Sequence, residues 1–406
     1  MKIIHTSDWH LGQKFLSKDR IEEHQKALDW LIHTVKEQEA DILLIAGDVF
    51  DITTPPNYAR TMYYRFLHHM KSTNCKHIII TGGNHDSPAM LNAPKDLLSA
   101  FDIHLVGEAT DNIMDEILPI HNDSGDLIAV VAAVPFLRDS NLRNAVAGQL
   151  AEERSEQIRL GIKRHFQEAA AACEPYTRQN VPIIAMGHLY ATGALASDKQ
   201  DNIYVGHIEN IDAGEFPELF DYVALGHIHR QQAVGGINHI RYSGSLIPLS
   251  FSETSDTKGV YCITFDQRSL ANIAFLEAPV FRRLKTIRGR QEDLEKQIMA
   301  FAARHENELS PWLDILVEAD NYIPLLDQQI REHYQQLPIE ILKVRVNYPG
   351  TPNTLAEYQT RLPELNPQEV FLKLCETMNI VPEQQDALIN SFTELLETYQ
   401  QQETDL

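Results

Sequence analysis

Five short apolar runs in this sequence end in residues able to bind a cation or move a proton. Ile3-Ile4 leads to Asp8-Trp9-His10, Ile42 to Ile45 leads to Gly47-Asp48, and His77 to Ile80 leads to Gly82-Gly83-Asn84-His85-Asp86. Ile183-Ile184 leads to Gly187-His188, and Tyr222 to Leu225 leads to Gly226-His227-Ile228-His229. Any one of these is a turn that happens to carry a polar side chain. Five of them at the ends of β-rich runs are accounted for together by one metal centre. Asp, Asn and His are the oxygen and nitrogen ligands of divalent Mn, Fe or Zn, and no Cys stands among them, which disfavours a structural zinc knot.

Two cations held about 3.5–4 Å apart need a bridging carboxylate, whose charge offsets their repulsion while its two oxygens reach both. Asp48, at the end of the most apolar run, suits that place. Asp8, His10 and one of His227 and His229 complete one ion's ligands; Asn84, His188 and the other histidine complete the second. Alternate residues on an extended segment face the same way, which lets His227 and His229 serve neighbouring ions. Such a pair of ions supplies hydroxide near neutral pH and clamps phosphoryl oxygens. The leaving alkoxide of a phosphodiester still needs a proton, and His85, beside a ligand yet unassigned to a metal, is placed to give it.

These loops require parallel strands whose ends converge, since ligand sites of α/β folds gather at the carboxyl ends of strands. Residues 1–280 alternate strand-like runs with amphipathic helices. Leu28, Leu31, Ile32 and Val35 share one face of a first helix; after Pro55-Pro56, Ala59, Met62, Tyr63, Phe66, Leu67 and Met70 form a wide stripe on a second. That stripe reads first as core and second as a partner or dimer face. A long polar region from Asn141 to Cys173, with Arg154, Arg159, Lys163 and Arg164 among acids, reads as a solvated helix. From Val181 the pattern turns to short strands, Val260 to Phe265 being the last clear one. Alternation early and mostly β later predicts two packed sheets flanked by helices, in the α/β class.

Residues 281–348 read β-α-β-α-β and form a small α+β domain, with Arg282, Arg283, Lys285, Arg288 and Arg290 at its entrance. That cluster reads as a solvated linker before it reads as a phosphate-backbone contact. Residues 349–367, opened by Pro349, Gly350 and Pro352, are a linker. Residues 368–406 hold two short amphipathic helices, with Val370, Phe371, Leu374 and Met378 on one and Leu388, Ile389, Phe392, Leu395, Leu396 and Tyr399 on the other. So small a pair cannot bury both stripes on itself, so the tail docks on a partner helix or folds back on the chain.

The 406 residues carry a formal net charge of −22, which argues against holding nucleic acid through a broad basic surface. Ten acidic residues against two basic ones follow Thr351, so this end keeps away from a phosphate backbone. Cys75, Cys173, Cys262 and Cys375 are scattered and read as free thiols. No run has the length of a membrane span and the N-terminus shows no signal peptide, which predicts a cytoplasmic protein without membrane contact. No G-x-x-x-x-G-K-[ST] is present, so a motor that drives the chemistry with ATP must be another chain.

Together, Asp8-x-His10, Gly47-Asp48, Gly83-Asn84-His85-Asp86, Gly187-His188 and Gly226-His227-x-His229 resemble the signature of the calcineurin-like metallophosphoesterases, whose fold is a double β-sandwich flanked by helices. His5 to Gly12, Ala46 to Asp51, Leu225 to Arg230, Tyr242 to Ser245 and Ile247 to Phe251 resemble more closely the DNA-nuclease branch whose members work with an SMC-like ATPase, and this likeness spans essentially the whole chain. The resemblance implies a Mn-dependent nuclease with 3'-5' exonuclease action on duplex ends and endonuclease action on hairpins, in DNA repair and recombination. It implies two divalent ions on Asp8, His10, Asp48, Asn84, His188, His227 and His229, with His85 catalytic. It also implies a homodimer through the two N-terminal helices, a small domain capping the DNA side, and tail helices gripping the ATPase coiled coil. Eukaryotic and archaeal members of that branch have a histidine where this chain has Asp51, which leaves Asp51 the role of orienting a ligand. The alternatives are a small-substrate phosphodiesterase, for which a second domain and tail are superfluous, and a scaffold without chemistry. The complete ligand set speaks against the scaffold, because unpaired buried Asp and His are costly to keep.

Overall fold

The computed structural model describes residues 1–142, 151–194, 210–304, 309–320 and 323–347, together with 371, 372, 374, 375, 388, 389, 391–393 and 395. The expected linker and much of the expected tail lie outside the described residues.

In chain order the main strands are β1 (Lys2–Thr6), β2 (Ile42–Ala46), β3 (His77–Thr81), β4 (Ile103–Val106), β5 (Ile117–His121), β6 (Leu127–Ala133), β7 (Ile183–His188), β8 (Tyr222–Gly226), β9 (Gln232–Val234), β10 (Ile237–Tyr242), β11 (Gly259–Asp266) and β12 (Ser269–Glu277). They form two six-stranded sheets, ordered β12-β11-β1-β2-β3-β4 and β9-β10-β8-β7-β6-β5. Strands β1 to β4 are mutually parallel, as are β6, β7, β8 and β10, while β11 and β12 in the first sheet and β5 and β9 in the second pair antiparallel.

Alternation along the central strands explains the layering. Ile3, Leu44, Ala46 and Ile79 of the first sheet face Ala129, Val131, Ile184 and Ala224 of the second, making one core between the sheets. The intervening residues face outward into two further cores. Ile4, Leu43, Ile45 and Ile80 meet the helices α1 (Ile21–Gln38) and α2 (Asn57–Met70). Val130, Ile183, Val223 and Leu225 meet α3 (Ala151–Cys173). Strands buried on both faces need near-continuous apolar runs, as Ile42 to Ala46 shows.

The stripe from Ala59 to Met70 is therefore core. Helix α3 differs from the solvated helix expected: Ile158, Ile162, Phe166 and Ala169 are buried, and Arg154 is buried in an ion pair with Asp139 at 2.6 Å. Its charges obscured an apolar stripe at ordinary helical spacing. A further strand, β12, follows the one expected to be last; it is an edge strand, half-exposed, with Ala and Asn diluting its alternation.

The second unit has the expected β-α-β-α-β order: β13 (Leu284–Gly289), α4 (Gln291–Ala302), β14 (Trp312–Glu318), α5 (Leu326–Tyr334) and β15 (Glu340–Asn347). Its parallel sheet packs both helices on one face around Leu313, Ile315 and Val317. Contact with the first unit runs through Phe15, Leu284 and Trp312. The Arg282 guanidinium lies 4.2 Å from the Trp312 ring and 3.1 Å from Glu23 of α1. Arg283 donates to backbone carbonyls of Phe301 and Arg304, while Arg288 and Arg290 pair with Glu318 and Asp320. Four of the five cations at this entrance thus hold the unit together. In the tail, the Phe371 and Phe392 rings stack at 4.2 Å, while Leu374, Leu388 and Leu395 are exposed. Among the described residues the four cysteines are free and buried, and no helix is long and apolar enough to cross a membrane.

Candidate metal centre

Parallel pairing brings the strand ends together. Thr6 aligns with Ile45, Ala46 with Thr81, and Gly226 with His188, so the loops after β1, β2, β3, β7 and β8 emerge at one edge of the sandwich. Backbone bonds then zip the first two loops: Asp8 N donates to Gly47 O at 3.1 Å and His10 N to Asp48 O at 3.0 Å. The two sheets meet here so closely that a Cβ on Gly226 would lie 1.8 Å from Ala46 O. Only glycine permits that approach. Asp8, His10, Asp48 and His227 have φ of 51°, 46°, 49° and 99°. Left-handed backbone costs roughly 1–3 kcal/mol per residue and gathers where a site demands it.

Three groups of possible ligand atoms result among the described residues, each with its atoms within 4.8 Å of one another: Asp8, His10 and His229; Asp48, His188 and His227; and, sharing His10 with the first, His10, Asp51 and His85. Asp48 Oδ2 lies between the groups, 3.5 Å from His10 Nε2 and 3.2 Å from His188 Nε2. Asn84 Oδ1 joins the second, 3.0 Å from both His188 Nε2 and His227 Nδ1. All seven residues named as candidate ligands thus lie together, with His229 beside Asp8 and His10, and His227 beside Asp48 and His188. The reason differs from the one expected. With its positive φ, His227 is not on an extended segment, and the chain turns there to send the two imidazoles apart.

Surrounding contacts fix the ligand atoms. Asp8 Oδ1 accepts from His227 N at 2.9 Å and Oδ2 from the Ser7 hydroxyl at 2.5 Å. His188 Nδ1 donates to Ala46 O at 2.9 Å, leaving Nε2 for the centre. Burial opposes charge on Asp48, but His188, His85 and His10 around it outweigh burial and hold its carboxyl well below the usual range. Burial likewise works against a charged His188, and the Asp48 carboxylate overcomes it, raising that imidazole to about 9. His227 is pushed well down by burial and then by His188. The Asp48 carboxylate and the His188 imidazole thus favour each other's charged forms.

The residues fit divalent cations. His10 Nε2 is buried with no hydrogen-bond partner among the described residues, and a buried orphaned lone pair facing carboxylates calls for a cation or a proton. The donor set of carboxylate, amide and imidazole suits first-row divalent ions.

His85 lies beside the first group, its ring 4.8 Å from that of His10. Its backbone N donates to Asp48 Oδ1 at 2.9 Å, and its Nδ1 donates to Asp51 O at 2.7 Å, so Nε2 is free to carry or give a proton. Three residues escaped the sequence reading. Asp86 accepts from the backbone N–H of Val49, Phe50 and Gly83 and staples the β2 loop to the β3 loop. Glu253 accepts from His229 Nδ1 at 3.1 Å and from Lys258 Nζ at 2.7 Å. Asp86 was visible in its motif; Glu253 and Lys258 stand outside any motif and only folding brings them to the site.

The fold and the paired ligand groups define a metallophosphoesterase, and the calcineurin-like phosphoesterase family matches residues 1–231. Residues 280–379 match the type 5 capsule protein repressor C-terminal domain. The chain is 38% identical over 401 residues to the SbcD component of the SbcCD nuclease of Escherichia coli K12, covering 98% of each chain. It is 30% identical to the corresponding SbcCD component of Bacillus subtilis 168, covering 86% of this chain and 84% of that one. Among solved structures, a dimetal phosphatase from Danio rerio is similar at a TM-score of 0.37 and 11% identity, over 68% of this chain and 95% of that one. The chain belongs to the SbcD family of calcineurin-like phosphoesterases.

Proposed function

We infer that this chain is a metal-dependent nuclease subunit that hydrolyses DNA phosphodiesters together with an SMC-like ATPase of the SbcC type. The observation that carries the reading is Asp48 Oδ2 standing between two ligand groups, 3.5 Å from His10 Nε2 and 3.2 Å from His188 Nε2. Asp8, His10 and His229 would hold one divalent ion and Asn84, His188 and His227 the other, with Asp48 available to both. When bound, the ions acidify an attacking water and neutralise charge on the phosphoryl group.

The chain's own residues do the rest. His85, tied through Nδ1 to Asp51 O, presents Nε2 to the leaving oxygen and gives it a proton. Asp48 holds the His85 backbone as well as the ions, so the acid keeps its place relative to them. Asp86 locks the two loops that carry Asp48 and His85.

The finer reading is Mn as the native metal, 3'-5' exonuclease action on duplex ends and endonuclease action on hairpins. A homodimer forms through the exposed faces of α1 and α2, where Ile21 and Tyr64 stand out, since their buried stripes are already used. The unit at 281–348 caps the DNA side, and the helices of 368–406 dock on the ATPase coiled coil. The protein works in the cytoplasm, on the nucleoid. Expected for Asp48→Ala is loss of both ions, read by Mn stoichiometry, together with loss of cleavage. Two ions bound by that variant would contradict the bridging role.

A further inference from the structure

A cavity of about 360 Å³ opens where the second unit joins the first, and none of the seven candidate metal ligands lines it. Its volume falls in the range of small-molecule sites, roughly 300–1,000 Å³. Ile247, Pro248, Phe281 and Phe301 give it apolar walls.

Its charge runs against that of the chain. Five cations, Lys258, Arg282, Arg283, Lys285 and Arg304, line it with three acids, Glu23, Asp256 and Glu277, in a protein of net charge −22. Two of the acids are already engaged: Glu23 holds Arg20 and Arg282, and Asp256 lies 3.4 Å from Arg230. Two of the cations are engaged as well. Lys258 commits all three of its donors, to His229 O, Ser245 Oγ and Glu253 Oε2. Arg282 pairs with Glu23 and donates to Ser310 O.

Arg283 differs, because it donates to the neutral carbonyls of Phe301 and Arg304 and keeps its full charge. Those bonds fix its planar guanidinium, which lies 4.2 Å from the centre of the Phe301 ring. Lys285 is exposed, and neither it nor Arg283 forms an ion pair among the described residues. A guanidinium fixed in place beside an ammonium suits a phosphate, and the adjoining apolar wall suits a flat, weakly polar ring. Inorganic phosphate would leave that wall unused.

We propose that this cavity binds a nucleoside 5'-monophosphate, with the phosphate on Arg283 and Lys285 and the base against Ile247, Pro248 and Phe281. Stepwise hydrolysis of DNA releases this class of molecule, a link that rests on the nuclease reading; the site itself stands without it.

The test is calorimetric titration of the full-length protein with deoxyadenosine 5'-monophosphate, in chelator so that the metal centre offers a phosphate no ion. One molecule binds per chain, and deoxyadenosine and inorganic phosphate, each meeting half of the cavity, bind at least about tenfold more weakly. Arg283→Gln and Lys285→Gln each weaken the nucleotide about tenfold or more, the loss expected for a hydrogen bond to a charged group. Arg288→Gln, outside the cavity, stays within about twofold, and thermal melting confirms that all three variants fold. No binding at about 1 mM nucleotide, phosphate alone binding as tightly, or an affinity unmoved by both cavity variants overturns the proposal. None of these results bears on the metal-centre reading, because no ion is present in the titration.

Discussion

His85 is anchored by two bonds that do not involve its Nε2, one from its backbone N to Asp48 and one from its Nδ1 to Asp51 O. On the proposed reading, removing the ring removes a proton donor without removing a ligand. His85→Ala is expected to keep two Mn per chain and lose about 10²–10⁴-fold in turnover, a range typical of general acids. Loss of an ion in that variant would make His85 a ligand instead. Two other histidines contribute to the loss of stability in acid. Burial, as the main cause, lowers His5 and His24 from 6.5 to about 3. Both are neutral in the fold, while the unfolded chain takes up protons below 6.5. Their contribution is thus full above pH 6.5 and is lost as pH falls toward 3, by about 1.4 kcal/mol per pH unit for each histidine. Denaturant unfolding of chelator-treated protein from pH 7.5 to 5 measures the slope, and His24→Leu should remove one proton from it. An unchanged slope would show that His24 does not carry the effect.

At the scale of elements, the site depends on how closely strand ends approach. Gly226 of β8 lies under Ala46 O of β2, and any Cβ there forces the sheets apart. Gly226→Ala is expected to cost roughly 3 kcal/mol, seen as a lowered melting temperature, and to weaken Mn binding at both positions. A variant as stable as the parent would show that the sheets can shift freely. This dependence also explains what could be read from the chain alone. Apolar runs ending in Asp, Gly or His made every strand end of the site legible, because ligands at those ends follow from sheet geometry. The pairing of His229 with His10, and of His227 with His188, was not legible, since it turns on a φ of 99° at His227. Glu253 was out of reach for another reason: it lies 24 residues beyond the histidine that it holds. The buried face of α3 was hidden by Arg154, Arg159 and Lys163, whose partners Asp139 and Glu215 lie outside that helix.

For the whole molecule, a net charge of −22 sits uneasily with a polyanionic substrate. The structure sharpens the problem, because Arg282, Arg283, Arg288 and Arg290 are engaged with acids or carbonyls. On the proposed reading, bound cations and a partner supply much of the affinity for DNA; in the tail Leu374, Leu388 and Leu395 are exposed. The second unit is coupled to the first through buried groups: Glu23 of α1 pairs with Arg20 and Arg282, and Trp312 lies against Arg282. The measurement that bears most directly on the nuclease reading is cleavage of an end-labelled DNA hairpin in Mn, by the chain alone and with its ATPase partner and ATP, beside Asp48→Ala. Mn-dependent cutting that Asp48→Ala abolishes and the partner extends is the expected result. An uncut hairpin in every mixture, with steady hydrolysis of a small phosphodiester, would contradict it.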